Sequence, residues 1–107
     1  MKVAITSTGK ELTSAPDRRF GRCKYFVIYD TERESVEFIE NPKRDYNEGA
    51  GPASVQLVVS KGVEQIITGD PGGKAASIID QLPVRLVRLE DGYRNIGEVI
   101  QFLKKNI

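Results

Sequence analysis

From Pro52 onward the apolar residues switch repeatedly between two periods, and this alternation limits the fold more than any other feature. Val63–Gly69 (VEQIITG) and Val84–Leu89 (VRLVRL) are short β-branched runs that read as strands, the second with Arg85 and Arg88 at exposed positions. Helical spacing surrounds them. Ala53–Lys61 follows Pro52, which suits a first helical turn, and places Val55, Val58 and Val59 on one face before Gly62 ends it, with Leu57 pointing elsewhere. Gly72–Gln81 puts Ala75, Ile78, Ile79 and Leu82 at i, i+3, i+4 and i+7. Asn95 suits an N-cap with Glu98 as its capping-box partner, and Ile96, Val99, Ile100 and Leu103 share a face ahead of Lys104 and Lys105. Such alternation requires parallel strands joined by right-handed crossovers.

The first half adds antiparallel structure. Lys2–Ser7 (KVAITS) reads as a central strand. Tyr25–Asp30 and Ser35–Glu40 flank the polar turn Thr31-Glu32-Arg33-Glu34 as a hairpin. Asn41-Pro42 stops the third strand, and Lys43–Gly51 reads as a polar, flexible connection. The expected order is β-β-β-α-β-α-β-α in an α/β fold with a mixed sheet, and 107 residues suit one domain spanning 1–107.

Composition removes several functions. The chain has no histidine and one cysteine, so a Cys/His zinc site, a Ser-His-Asp triad and an intramolecular disulfide cannot be built from it. A net charge of +1 gives no general footprint for nucleic acid. No apolar run reaches the roughly 18 residues of a membrane span. The start of the chain carries no signal peptide, and a cytoplasmic protein is expected.

The long connection Thr8–Lys24 carries the chemistry. Arg18, Arg19 and Arg22 crowd around Phe20, the large apolar side chain among them, and Gly21. Two readings compete: a loop pinned by Phe20 that offers Arg19 and Arg22 to an anion, or a solvated loop whose only task is to anchor Phe20. Cys23 is either a soft metal ligand or a small residue half-buried at a strand start. Ligands of open α/β sheets collect beyond the carboxyl ends of parallel strands, where Thr8–Lys24, Asp70–Gly73 and Glu90–Arg94 are expected to converge. Gly72 and Gly73 open a helix whose free amides favour anions, although Ala75 stands where a P-loop would carry its hydroxyl residue. A tight capping turn is the alternative. Asp17, Asp70 and Asp91 are rim carboxylates. Tyr46 and Tyr93 either stack on a ligand or cover loops.

Arg19-Phe20-Gly21-Arg22 before Tyr25-Phe26, then Glu40-Asn41-Pro42, Gly49-Ala50-Gly51, and Gly69 with Gly72-Gly73-Lys74-Ala75-Ala76 resemble the dinitrogenase iron–molybdenum cofactor biosynthesis family. That family includes NifX-like and NafY-like proteins and the C-terminal domain of NifB. The resemblance implies a ribonuclease-H-like fold with a five-stranded mixed sheet and flanking helices. It also implies a non-enzymatic protein that binds or carries iron–molybdenum cofactor or an iron–sulfur precursor. Many members have His where this chain has Arg19, and again where it has Tyr46-Asn47-Glu48. A guanidinium holds an anionic cluster by charge and hydrogen bonds instead of coordination. The expected site is therefore Arg19, Phe20, Gly21, Arg22, Gly72 and Gly73, with Cys23 as a metal ligand. The second hypothesis is an interaction or regulatory module whose Arg18, Arg19, Arg22 and Lys43-Arg44 rim docks an acidic protein. A third, enzymatic, would use Asp70 beside Lys74.

Overall fold

The computed structural model describes residues 1–106; Ile107, the last position of the expected 1–107 unit, lies outside the described residues. Five strands form one sheet: β1 (Lys2–Ser7), β2 (Tyr25–Asp30), β3 (Ser35–Glu40), β4 (Val63–Thr68) and β5 (Arg85–Arg88). Their order is β3-β2-β1-β4-β5. The hairpin pairs antiparallel on one side of β1, with Lys2 opposite Asp30 and Ser7 opposite Tyr25. On the other side β4 and β5 run parallel to β1. Helices α1 (Ala50–Ser60), α2 (Gly73–Asp80) and α3 (Ile96–Asn106) complete the expected order. This is the ribonuclease-H-like mixed sheet with flanking helices.

The period of two in the strands builds two cores. Ala4, Phe26, Ile28 and Ile66 face Val55 and Val58 of α1 and Ala75 and Ile79 of α2. Their neighbours Val3, Ile5, Val27, Tyr29 and Ile67 face Ile96, Val99, Ile100 and Leu103 of α3. Lying mid-sheet with both faces covered, β1 has Val3, Ala4 and Ile5 at most 1% exposed. Continuous apolar sequence is the expected consequence of burial on both sides.

Some details differ from the sequence reading. Helix α1 starts at Ala50, three residues before the expected Ala53, behind Gly49 at φ 76°. Ala50 and Gly51 thus belong to the helix, not to the flexible connection. Its buried face is Ser54, Val55 and Val58; Val59 and Leu57 are both only partly buried against the same core. Gly62, at φ 81°, ends the helix as expected. Glu98 accepts a hydrogen bond from the amide of Arg94 at 2.7 Å, one residue ahead of the cap, while Asn95 Oδ1 accepts the Glu98 amide at 2.9 Å.

Topology sets where the loops go. Because β3 is antiparallel to β2, and β2 to β1, β3 ends at the same edge as β1, β4 and β5. The 41–49 connection therefore delivers the N-terminus of α1 to the edge where α2 also begins.

Candidate functional site

The connection after β1 is stitched to the sheet along its length. Ser7 bridges Pro16, and Arg19 bridges Asp70 in parallel. The Asp17 amide donates to the Thr6 carbonyl at 2.9 Å, and the Phe20 amide to the Asp70 carbonyl at 3.2 Å. Further along, the Ile96 and Gly97 amides donate to the Ser14 and Leu12 carbonyls, both at 2.9 Å, so the same segment caps α3. Beneath the stitching, Thr6 Oγ1 donates to the Asp17 carbonyl at 2.6 Å and lies 3.1 Å from Thr68 Oγ1. A connection held this way is a fixed wall.

Phe20 turns inward. It is 1% exposed, and its ring lies 5.4 Å from that of Phe26. Its side chain anchors the wall in the core, while the Arg19–Arg22 segment lines a cleft of about 530 Å³. The opposite walls are the start of α1, from Asn47 to Pro52, and the start of α2, from Asp70 to Ala75. Close approach of three backbones requires missing side chains. A Cβ on Gly21 would meet the Gly51 amide nitrogen at 2.7 Å, and one on Gly51 would meet Ala75 Cβ at 3.2 Å.

Two helix N-termini thus open on one cavity. The first rungs of these helices are Ala53 N to Gly49 O at 3.0 Å and Ala76 N to Gly72 O at 2.9 Å. The amides of Ala50 and Gly51, and those of Gly73, Lys74 and Ala75, precede these rungs and have no intrahelical acceptor. Both helix dipoles present their positive ends here. Gly72, at φ 80°, turns the chain into α2, and its amide donates to Asp70 Oδ1 at 3.0 Å. Gly72 and Gly73 both line the cleft, and the capping turn is present as well.

The three cations of the cleft are held differently. Arg19 sits over the nearly buried Asp17 carboxylate, with Nε 3.4 Å from Oδ1, and its side chain is 66% exposed. Arg22 Nη1 donates to the carbonyls of Arg44 at 2.6 Å and Tyr46 at 2.5 Å. Lys74 is exposed on α2. Glu48 and Asp70 are the carboxylates among the lining residues. Arg19 and Arg22 both line this one cavity.

Cys23 corrects the expected metal ligand. It is 0% exposed, lies in the core shared with α1 and α2, and is absent from the lining of the cleft. Burial, and secondarily the charge of Asp17, push its thiol up to about 12, so it is protonated at neutral pH. Among the described residues no group of three or more His, Cys, Asp or Glu is placed to hold a metal ion. The cleft offers amides, guanidinium groups and an ammonium, which suit an anion held by its outer atoms.

The three loops meet at this edge, but only Thr8–Lys24 and Asp70–Gly73 line the cleft. Glu90–Tyr93 lines a separate cavity of about 150 Å³ with Pro16, Asp17 and Arg18, where Arg18 pairs with Asp91 at 3.2 Å. Tyr93 packs edge-on against Phe102 at 5.9 Å, and Tyr46 lies under Lys43 Nζ at 5.3 Å. Sequence reasoning missed two things: the 47–52 wall and the buried Asn41. The wall was derivable from the two successive antiparallel pairings. For Asn41 the signals were its place in the Glu40-Asn41-Pro42 motif and an amide residue just before a proline at a strand end.

Comparison with known proteins decides the family. The model of the family described as dinitrogenase iron–molybdenum cofactor matches residues 1–106. The chain belongs to this family. Its relatives include an uncharacterized protein of Methanocaldococcus jannaschii, 34% identical over 87 residues, which cover 78% of this chain and 70% of that protein. Among solved structures, the apo form of the orange protein from Desulfovibrio gigas superposes with a TM-score of 0.87 at 25% identity, over 98% of this chain and 88% of that one. A Thermotoga protein solved by NMR and described as a candidate NifB protein gives 0.82 at 41% identity, over 97% and 87%. The resemblance seen in the Arg19–Arg22 and Gly72–Ala76 motifs is therefore a family relationship, of a cofactor-carrier-like kind.

Proposed function

We propose that the chain is a non-catalytic carrier that holds an anionic metal–sulfur cluster, of iron–molybdenum or iron–sulfur type, or a related oxyanion, in the cleft between α1 and α2. One observation carries this reading: the N-termini of both helices open on a single cavity that also receives Arg19, Arg22 and Lys74. Family membership and the cofactor in the family's description support the choice of cargo. Gly73, Lys74, Ala50 and Gly51 supply backbone donors, and the three cations supply charge. Phe20 and Gly21 act through position: one anchors the wall and the other lets it approach α1. A carrier must release what it holds, and binding through outer hydrogen bonds exchanges more readily than thiolate coordination. No helix among the described residues is long and apolar enough to cross a membrane, and a cytoplasmic place of action fits this reading.

The alternative, a docking rim for an acidic protein, has less support. Arg18 is paired with Asp91, Arg44 approaches Glu40 and Asp45, and Arg22 is engaged by carbonyls. The test is anaerobic incubation with iron, sulfide and molybdate, followed by absorption spectra and metal analysis. Wild type should emerge coloured and metal-loaded, and Arg19→Glu and Lys74→Glu should lose most of both. A colourless, metal-free wild type that instead co-purifies with a stoichiometric partner, lost on Arg19→Glu, would favour the docking rim.

A further inference from the structure

Asn41 is fully buried at 0% exposure, at the end of β3. Its Nδ2 donates to the carbonyls of Gly21 at 3.1 Å and Cys23 at 3.0 Å, the residues on either side of Arg22. Its Oδ1 accepts the Lys43 amide at 3.1 Å and lies 3.5 Å from Ser54 Oγ of α1. The orientation of the amide is self-consistent, since two carbonyls need the donor end and a backbone N–H needs the acceptor end. One side chain therefore fixes the backbone around Arg22, the start of the 43–49 segment, and α1. Arg22 closes the same circuit from above through Nη1, on the carbonyls of Arg44 and Tyr46.

Resting on the carrier reading, we infer that Asn41 is the positioning residue of the cleft: it sets Arg22 and, through Arg22, the 43–49 wall leading into α1. Asn41 does not line the cavity. Its effect on anion binding passes through Arg22, which lines the cleft and whose Nη1 is committed to the wall. Lysine at position 22 could not do both, because a single ammonium lacks the planar fork. The acidic isostere is also unsuited at position 41, since a carboxylate would turn an acceptor toward two carbonyl oxygens.

The test has two arms on the full chain. In the first, hydrogen exchange without any ligand follows the amides of 43–49 in wild type, Asn41→Ser, Arg22→Gln and the double variant. Both single variants should lose protection across the same segment, and the double variant should lose no more. In the second, calorimetric titration with molybdate should show each single variant weakened by about tenfold, the scale of one or two lost hydrogen bonds, and the double variant no weaker than the worse single. Multiplying losses, or an Asn41→Ser protein that melts cooperatively and binds with unchanged affinity, overturns the inference. If Asn41→Ser does not fold, Arg22→Gln decides alone: retained protection of 43–49 removes the link between Arg22 and the wall. A wild type that binds no molybdate while the exchange pattern is as expected overturns the carrier reading and leaves Asn41 as a structural brace.

Discussion

The two faces of the sheet are built on different rules. The face under α3 is covered by one amphipathic helix, whose four buried residues meet five strand residues of purely apolar or aromatic character. Polar pairing there lies at the helix ends, where Asn95 caps and Arg94 pairs with Glu98 at 2.7 Å, and where Lys104 pairs with Glu34 at 3.3 Å. The face under α1 and α2 carries an apolar core too, but at the edge beyond the strand ends it admits a buried amide, a nearly buried carboxylate and glycines that let backbones meet. Apolar burial can be satisfied by many arrangements of similar volume. Buried polar groups tolerate far fewer, because each donor and acceptor needs its partner. The first face supplies stability; the second uses part of it to hold a cationic cavity open.

The largest effects should separate the faces. Phe20→Ala on the cleft side and Leu103→Ala beneath α3 each remove a side chain at most 4% exposed. Losses of about 3–5 and 2–5 kcal/mol are expected in denaturant unfolding. Only Phe20→Ala should also weaken molybdate binding, since it unseats the wall carrying Arg19 and Arg22. Equal loss of binding in both variants would erase the distinction.

Gly21→Ala comes next. The new methyl would sit 2.7 Å from the Gly51 amide nitrogen, so α1 must move. An overpacking cost of about 1–3 kcal/mol is expected, with anion affinity falling although no charge is altered. Asn95→Ala is its counterpart on the other face. It should cost about 1 kcal/mol through the lost cap and leave anion affinity as it was.

Titration sharpens the contrast with smaller effects. The folded state raises the Cys23 thiol from 9.0 to about 12, so it retains a proton that the unfolded chain releases. Its contribution to stability is complete below about 9 and lost as pH rises toward 12. Alkylation at pH 8 should therefore proceed only as fast as the protein opens, and rapid alkylation of the native state would contradict the burial. Glu98 behaves in the opposite sense. The Arg94 amide, and then its guanidinium, lower this exposed carboxyl, so its contribution is present above the ordinary carboxylate range and disappears as pH falls through the lowered value. Melting of wild type and Glu98→Gln should converge on acidification, by a small amount.

The same contrast explains what the sequence disclosed. Ile96, Val99, Ile100 and Leu103 follow one physical rule, and helix α3 was readable from their spacing alone. The strands were equally legible, because β-branched density and period-two alternation are local. At the cleft the information is not local. A Cβ on Gly51 would come within 3.2 Å of Ala75 Cβ, and one on Gly21 within 2.7 Å of the Gly51 amide nitrogen, and both neighbours are far away in sequence. Cys23 looked available beside three arginines, yet the strand it precedes carries it inward. Arg22 looked like a free cation, and only the carbonyls of Arg44 and Tyr46 show its Nη1 committed. Spacing rules cannot see contacts between residues twenty or more positions apart.

The most direct measurement follows backbone amide chemical shifts during a molybdate titration of the wild-type chain. Gly49–Gly51 at the start of α1 and Gly72–Ala75 at the start of α2 should move together along one saturation curve, while the amides of α3 stay still. Movement of one helix start without the other, or of neither at saturating molybdate, would contradict a shared anion site between them.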